Sequence, residues 1–464
     1  MPKTKYRRER DSMGEIEVPL QALYGAQTER AIRNFTISRQ PLPWSFIEGV
    51  LLIKAAAAIT NGQLGLLPGE YARAIEDAIQ EILTTRPIDQ FPVPIYQTGS
   101  GTSSNMNVNE VIVGLARRKG VELSANDHVN LSQSSNDVIP AAIHLSAAMA
   151  ASGSLLPALQ ELAQIIRTFG AAHAEVVKTG RTHLMDALPI RLQAEMEGWA
   201  AQLDECVERI ESALPRLQRL PLGGTAVGSG VNCHPQFAAM AIAHLNKVTN
   251  LTCTQAPSLY KGLSSLDTLV EFSGHLKTAA IALSKIAGDL RWMNSGPLTG
   301  LGEICLPSLQ PGSSIMPAKV NPIIPEAVCM ACAQIIGNDT TISLAGMGGN
   351  FQLNTMLPLA AAKLLESLEL LAGSARSLGE KAIKDMTLNN EVYAQALAFN
   401  PIMVTPLNPL IGYLRAAEIA KIAQREKRPI LEVALEQTDI PREQLQNLLD
   451  PKNLADGGRK NRSN

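Results

Sequence analysis

The sequence is poor in aromatic residues, nearly balanced in charge and sparing with cysteine, and each shortage excludes something. Phe, Trp and Tyr make up 4% of 464 residues, against 45% for all apolar types. A core of that composition is aliphatic, dominated by alanine and leucine, which favours packed helices over sheets. The net charge is −2, so no global field recruits nucleic acid or an anionic membrane surface. An anionic ligand has to be held by local donors. No stretch reaches the ~18 uninterrupted apolar residues of a membrane span, and a soluble protein is expected. The basic run Lys3–Arg10 is followed by no apolar segment, so it reads as a solvated tail rather than a signal peptide. Cys206, Cys233, Cys253, Cys305, Cys329 and Cys332 are scattered. Only Cys329 and Cys332 have C-x-x-C spacing, and no second pair completes a zinc site. They read as buried, reduced thiols of a cytoplasmic protein.

What the chain does contain is long helical periodicity. Leu192, Met196, Trp199, Leu203, Cys206 and Ile210 recur at alternating spacings of four and three. Leu269, Phe272, Leu276, Ala279, Leu283, Ile286 and Leu290 keep that rhythm, and Leu364, Leu368, Leu371, Ala375 and Leu378 repeat it. Seams of this kind pack long helices into bundles at crossing angles near ~20°. With a leucine-rich helix at 155–169 and another opening near Pro325, five long central helices are expected. So extended a bundle leaves apolar faces for other subunits, and an oligomer is expected. The domains fall at 1–137, 138–388 (the bundle) and 389–464, the last ending in a Gly/Lys/Arg/Ser/Asn-rich tail from Ala455 that reads as disordered.

Polar, glycine-containing runs punctuate the helices. Residues 1–45 read as an irregular lead-in. The run Gln97–Glu110 (QTGSGTSSNMNVNE) describes a loop entering a helix, whose exposed N–H groups can bind an anion, although a plain capped turn explains most such loops. The run Asn130–Asp137 (NLSQSSND) is equally a helix cap or a cluster of donors for a carboxylate. Gly180–Ala187 (GRTHLMDA) sets His183 beside Thr182 between two helices, where a lone histidine is more often structural. Gly223–Asn232 is glycine-dense, yet no strand precedes it, so it is no nucleotide fingerprint. Gly312–Pro322 (GSSIMPAKVNP) combines the most. Pro317 and Pro322 bar regular helix between them. Alternation in an extended stretch would put Lys319 and Asn321 on one side, a cation and an amide donor suited to a carboxylate gaining charge.

GSSIMPAKVNP resembles the signature of the fumarase/aspartase superfamily, and the likeness runs from about Arg10 to about Asp450. The resemblance implies an all-α fold with a central five-helix bundle flanked by two smaller, mostly helical domains. It implies a lyase that removes a group β to a carboxylate, with no metal or organic cofactor. It implies Ser313 as base, Lys319 and Asn321 on the aci-carboxylate, and His183, charge-paired with Glu326, as proton donor through water. Ser100, Thr102, Thr182, Ser134, Ser135 and Asn136 would orient the dicarboxylate. A homotetramer with each site shared between subunits is implied as well. Thr98–Thr102, Ser134–Asp137 and Leu290–Trp292 lean toward class II fumarases, which interconvert (S)-malate and fumarate. His128–Gln133, Pro322–Glu326 and Gly337–Thr341 lean toward aspartate ammonia-lyases, the alternative. Departures from the fumarase pattern lie at Ser124, where a histidine of an accessory dicarboxylate site is usual, and at Leu131, Leu298 and Leu410.

Overall fold

All three heptad seams are buried. Each of their residues, from Leu192 to Leu378, is at most 2% exposed. The computed structural model describes residues 5–457. Its α-helices as far as Leu378 are α1 (Ala26–Asn34), α2 (Trp44–Gln63), α3 (Gly69–Thr85), α4 (Thr102–Arg118), α5 (Ser135–Ala150), α6 (Leu156–Ala172), α7 (Leu192–Leu217), α8 (Phe237–Thr249), α9 (Leu259–Ser264), α10 (Asp267–Met293), α11 (Ile323–Gly346) and α12 (Leu357–Leu378). The expected five long helices are α6, α7, α10, α11 and α12. Small hairpins include β1 (Tyr6–Asp11) with β2 (Gly14–Pro19), and β3 (Val177–Thr182) with β4 (Met185–Arg191). Trp44–Gln63 and Ser135–Ala172 are apolar and long enough to cross a bilayer, but 67% of the most apolar 18-residue stretch of each is buried inside the protein.

The chain divides into two compact units. The first comprises Met1–Pro157, Cys206–Ala280 and Ala331–Ala372; the second comprises Ala158–Glu205, Ile281–Met330 and Gly373–Asn464.

In the first unit α2 packs on α3, α5 and α8, and α4 packs on α3 and α5. Phe46, Val50, Leu51 and Ile53 of α2 are buried with Ile75 of α3 and Ile139 and Ile143 of α5. Polar ties join the long helices: Arg216 on α7 to Glu271 on α10, Ser273 and Lys277 on α10 to Asp339 on α11, and Asn338 on α11 to Ser367 on α12. The start of this unit corrects the expected irregular, solvated lead-in. Tyr6–Asp11 is a strand, and Arg7 donates to the carbonyls of Pro19, Ala22 and Tyr24. The Pro19 carbonyl also accepts the Ala22 N–H, while the guanidinium supplies hydrogen bonds to the Ala22 and Tyr24 carbonyls, which lie beyond the ladder. Lys3 and Thr4 lie outside the described residues.

In the second unit Arg167 of α6 reaches Glu197 and Asp204 of α7, and Lys285 of α10 stands 5.4 Å above the Trp199 ring. Gly379, just past α12, lies where a Cβ would meet Ile165 of α6 at 2.9 Å. The β3–β4 hairpin is anchored by Glu303, which is 1% exposed and pairs with Lys178 and Arg181. A separate core of Met403, Leu407, Ile419, Ile430, Val433 and Leu445 holds the last helices together. Ala455 closes a short helix, Pro451–Ala455, so the expected disorder does not begin there; the rest of that tail, from Gly458, lies outside the described residues. The six cysteines are free, but Cys305 is exposed, so they are not all core thiols.

The start of α5 is fixed by one carboxylate. Asp137 Oδ1 accepts the Ser134 N–H at 2.9 Å, and Oδ2 accepts those of Gly223 and Thr225 at 3.0 and 2.9 Å. Burial pushes this carboxyl up, and the backbone N–H groups pull it back down. Asp137→Asn puts an NH2 group against one of these sets of N–H donors. A loss of about 1–3 kcal/mol is expected for a buried donor left unpaired. It should be read as a lower melting temperature and faster hydrogen exchange at the Gly223 and Thr225 amides. Unchanged protection there would show that the carboxylate is not the joint.

Candidate active site

The expected site residues fall into two groups, one in each unit. Ser100, Thr102, Ser134, Ser135 and Asn136 lie in the first; Thr182, His183, Ser313, Lys319, Asn321 and Glu326 lie in the second.

In the first group, the loop before α4 turns through Gly101, whose φ is +75°, a conformation that favours glycine. A Cβ there would also press on Ile139 at 2.9 Å. The turn brings the hydroxyls of Ser100 and Thr102 within 2.8 Å of each other. Ser134 caps α5 in a capping box. Its Oγ accepts the Asn136 N–H at 3.2 Å while Asp137 returns to the Ser134 N–H. The cap reading therefore holds, and Ser134 spends its acceptor within the turn. Asn136 also donates through Nδ2 to the carbonyl of Ala226 in the glycine-rich run, at 2.8 Å. Ser135 Oγ is buried and receives Asn105 Nδ2 at 3.3 Å. Behind it Asn130 Oδ1 receives Lys54 Nζ, Asn105 Nδ2 and Asn109 Nδ2 at 2.9, 3.1 and 3.2 Å.

Lys54, Asn105, Asn130 and Asp137 thus belong to the cluster, and the sequence reading assigned none of them a role. For Lys54 a signal existed: a single charge inside the apolar run VLLIKAAAAI.

In the second group, Gly312–Pro322 closes on itself. Gly312 N–H donates to the Lys319 carbonyl at 2.8 Å, and Asn321 Nδ2 donates to the Gly312 carbonyl at 2.6 Å. A Cβ on Gly312 would lie 2.4 Å from that Lys319 oxygen, which explains the glycine. Ser313 Oγ accepts the N–H groups of Ile315 and Met316 at 3.3 and 3.0 Å. Two dipoles pointing at one hydroxyl oxygen favour negative charge on it. Two details differ from the expected extended stretch. Ala318 has φ +66°, so the run turns rather than alternates, and one Asn321 amide hydrogen is spent inside the loop. Lys319 is exposed, and Glu326 sits in the first turn of α11, where its charge suits the helix N-terminus.

His183 stands at an exposed tip. Thr182 pairs with Met185, and His183 and Leu184 between them have φ of 56° and 61°. Positive φ at both central residues is the type I′ hairpin turn, normally made by Asn-Gly. The histidine therefore lies on a two-stranded finger between α6 and α7. Among the described residues, no hydrogen bond or ion pair joins His183 to Glu326. In the Ser124 segment, Ser124 Oγ and Asp127 bond each other at 2.7 Å, and His128 Nδ1 accepts the Ser124 N–H.

The chain is similar to known proteins along nearly its whole length. Residues 14–337 match the lyase family, and residues 403–456 match the fumarase C C-terminus. Fumarate hydratase class II 2 of Pseudomonas aeruginosa is 55% identical over 98% of this chain and 100% of its own length. Fumarate hydratase class II of Xylella fastidiosa is 53% identical over 98% of this chain and 96% of its own. The crystal structure of recombinant class II fumarase from Schistosoma mansoni superposes with a TM-score of 0.92 at 37% identity, covering 97% of this chain and 99% of that one. With a lyase match over most of the chain, a fumarase C-terminal match after it and full-length relatives of one class, the chain belongs to the fumarase family of lyases, in its class II branch.

Proposed function

We propose that this protein is a fumarate hydratase, eliminating water reversibly from (S)-malate to give fumarate, in the cytoplasm and as a homotetramer whose active sites combine residues of different subunits. The observation that carries the reading is the Ser313 hydroxyl, held by two backbone N–H groups in a loop that also presents Lys319.

Taking a proton from the carbon beside a carboxylate spreads two negative charges over the aci-carboxylate. Fixed positive potential must meet that charge as it develops. The Ser313 oxygen, as alkoxide, is stabilised by the Ile315 and Met316 N–H groups and takes the C3 proton. Lys319 and the remaining Asn321 hydrogen receive the growing charge. The C2 hydroxyl leaves as water with a proton delivered from His183, which Glu326 orients. Thr182, Ser100, Thr102 and the α5 start, Ser134–Asn136, hold the carboxylates. The balance is one proton and one hydroxide lost, one double bond formed. Relatives matched along the whole chain are fumarate hydratases, which favours malate over aspartate as substrate.

Two features support a shared site. His183 and Glu326, partners in this scheme, do not meet within one chain. In addition α11 carries a second seam that the subunit leaves bare. Met330, Ala333, Gly337, Thr340 and Leu344, with Met347 just past the helix end, repeat at three and four, and all are exposed, Met330, Leu344 and Met347 by 69, 62 and 79%. An apolar or small seam at coiled-coil spacing is built to meet another helix. The six free thiols fit a reducing compartment.

Ser313→Ala deletes only a hydroxyl. Turnover of malate should fall by about 10²–10⁴-fold, the usual weight of a general base, with the affinity for succinate, an unreactive dicarboxylate, nearly intact. Steady-state kinetics and calorimetry check this; full turnover, or binding lost with turnover, would remove Ser313 as base.

Leu344→Lys places a charge in the bare seam. Light scattering should give a mass of four chains for the wild type and a smaller assembly for the variant, with activity lost in parallel. A wild type that runs as one chain in dilute buffer sinks the tetramer.

A further inference from the structure

Lys54 lies on α2 in the interior of the first unit and is fully buried. Burial pulls its ammonium down to about 7, while the charge of Asp137 acts in the opposite direction. Burying such a group away from water is costly, and hydrophobic replacements of similar volume are often better tolerated in cores. Its neighbours on α2, from Val50 to Ala58, are almost all aliphatic. The core therefore has no packing need for a charge at this point.

The polar partners of Lys54 explain its presence. Among the described residues its Nζ has one hydrogen-bond partner, Asn130 Oδ1 at 2.9 Å. Asn130 also donates through Nδ2 to the Gln133 carbonyl at 3.2 Å, holding the turn that delivers Ser134. On the other side, Asn105 Nδ2 bridges Asn130 Oδ1 and Ser135 Oγ at 3.1 and 3.3 Å. The ammonium is thus one amide, Asn130, away from the turn before Ser134, and two amides, Asn130 and Asn105, away from Ser135. Asn105 Oδ1 and Asn109 Oδ1 are buried without a partner, so the cluster crowds its donors onto a single carbonyl oxygen. Of the three donors to that oxygen the ammonium is the only charged one, and a charged donor forms the firmer bond.

We propose that Lys54 is a positioning residue of the hydratase: acting through Asn130 and Asn105, it fixes the Ser134–Asn136 helix start so that these groups are ordered for a substrate carboxylate before it arrives. The inference rests on the reading that this helix start takes a carboxylate. Lys54 does not touch substrate in this scheme and moves no proton. Its effect falls on ground-state and transition-state binding alike, so KM rather than kcat carries it.

The test compares wild type, Lys54→Met and Asn105→Ala as assembled enzymes. Lys54→Met keeps the length of the side chain and removes the charge. Asn105→Ala leaves Lys54 and Asn130 in place and cuts the link to Ser135. Malate kinetics and succinate calorimetry are measured on all three, with melting temperature and mass as controls. In both variants KM for malate and Kd for succinate should rise about ten- to a hundredfold, the weight of a hydrogen bond to a charged group, with kcat within about threefold. A Lys54→Met enzyme that assembles and keeps wild-type KM and Kd overturns the inference and leaves the hydratase reading standing. If Lys54→Met does not fold, Asn105→Ala decides alone: an unchanged KM overturns the inference. A wild type that neither hydrates fumarate nor binds succinate removes the reading beneath it, and the inference with it.

Discussion

The Asp137 carboxylate is the joint on which the first unit's polar cluster depends. It turns three backbone N–H groups, from two stretches 86 residues apart in the chain, toward a single buried charge. That arrangement lets an α-helix start and a glycine-rich loop share one position without water between them. It also sets an electrostatic condition on everything nearby. A buried anion needs donors of this kind or a cation, and Lys54 is placed where its field reaches the same carboxylate. The neutral amides Asn105, Asn109 and Asn130 then fill the space around the ammonium with oriented dipoles.

The Gly312–Pro322 loop uses the same device on a smaller scale. Backbone N–H groups again point at one oxygen, here the Ser313 hydroxyl, and the chain closes through Gly312 and Asn321 so that the donors cannot turn away. Because the loop spends its own hydrogen bonds on holding its shape, little reorganisation remains to be done when charge develops. In the proposed reaction the exposed Lys319 would supply the charge that a purely backbone cradle lacks.

The helices were legible because their seams have one period and one partner type. Residues such as Trp199, Phe272 and Leu371 carry the rhythm unaided, and every position of the three seams on α7, α10 and α12 is buried. The signature loop was legible because two prolines, a glycine and a lysine rarely coincide. The N-terminal hairpin was not. Tyr6–Asp11 alternates between exposed and half-buried positions that are nearly all charged, so no apolar face marks it as a strand. The β3–β4 finger escaped for a related reason: its buried positions include Lys178, made tolerable by Glu303, which lies more than a hundred residues away. The turn at Ala318 and the inward bond of Asn321 depend on loop closure, which no local pattern encodes. Nor could composition reveal that Lys54 and Asn130, 76 residues apart, form a pair.

The two-residue turn at His183 and Leu184 carries a tension that acts over evolutionary time. Both residues sit in left-handed backbone, at a cost of order 1–3 kcal/mol each for side chains without special tolerance of that region. Asn-Gly at the same two positions would relax the finger at once. Thermal stability alone therefore favours a tip without the imidazole, whereas the reaction proposed above requires it. If His183 is the proton donor proposed above, a chain that kept the fold and lost the reaction would gain stability by exchanging this turn for Asn-Gly.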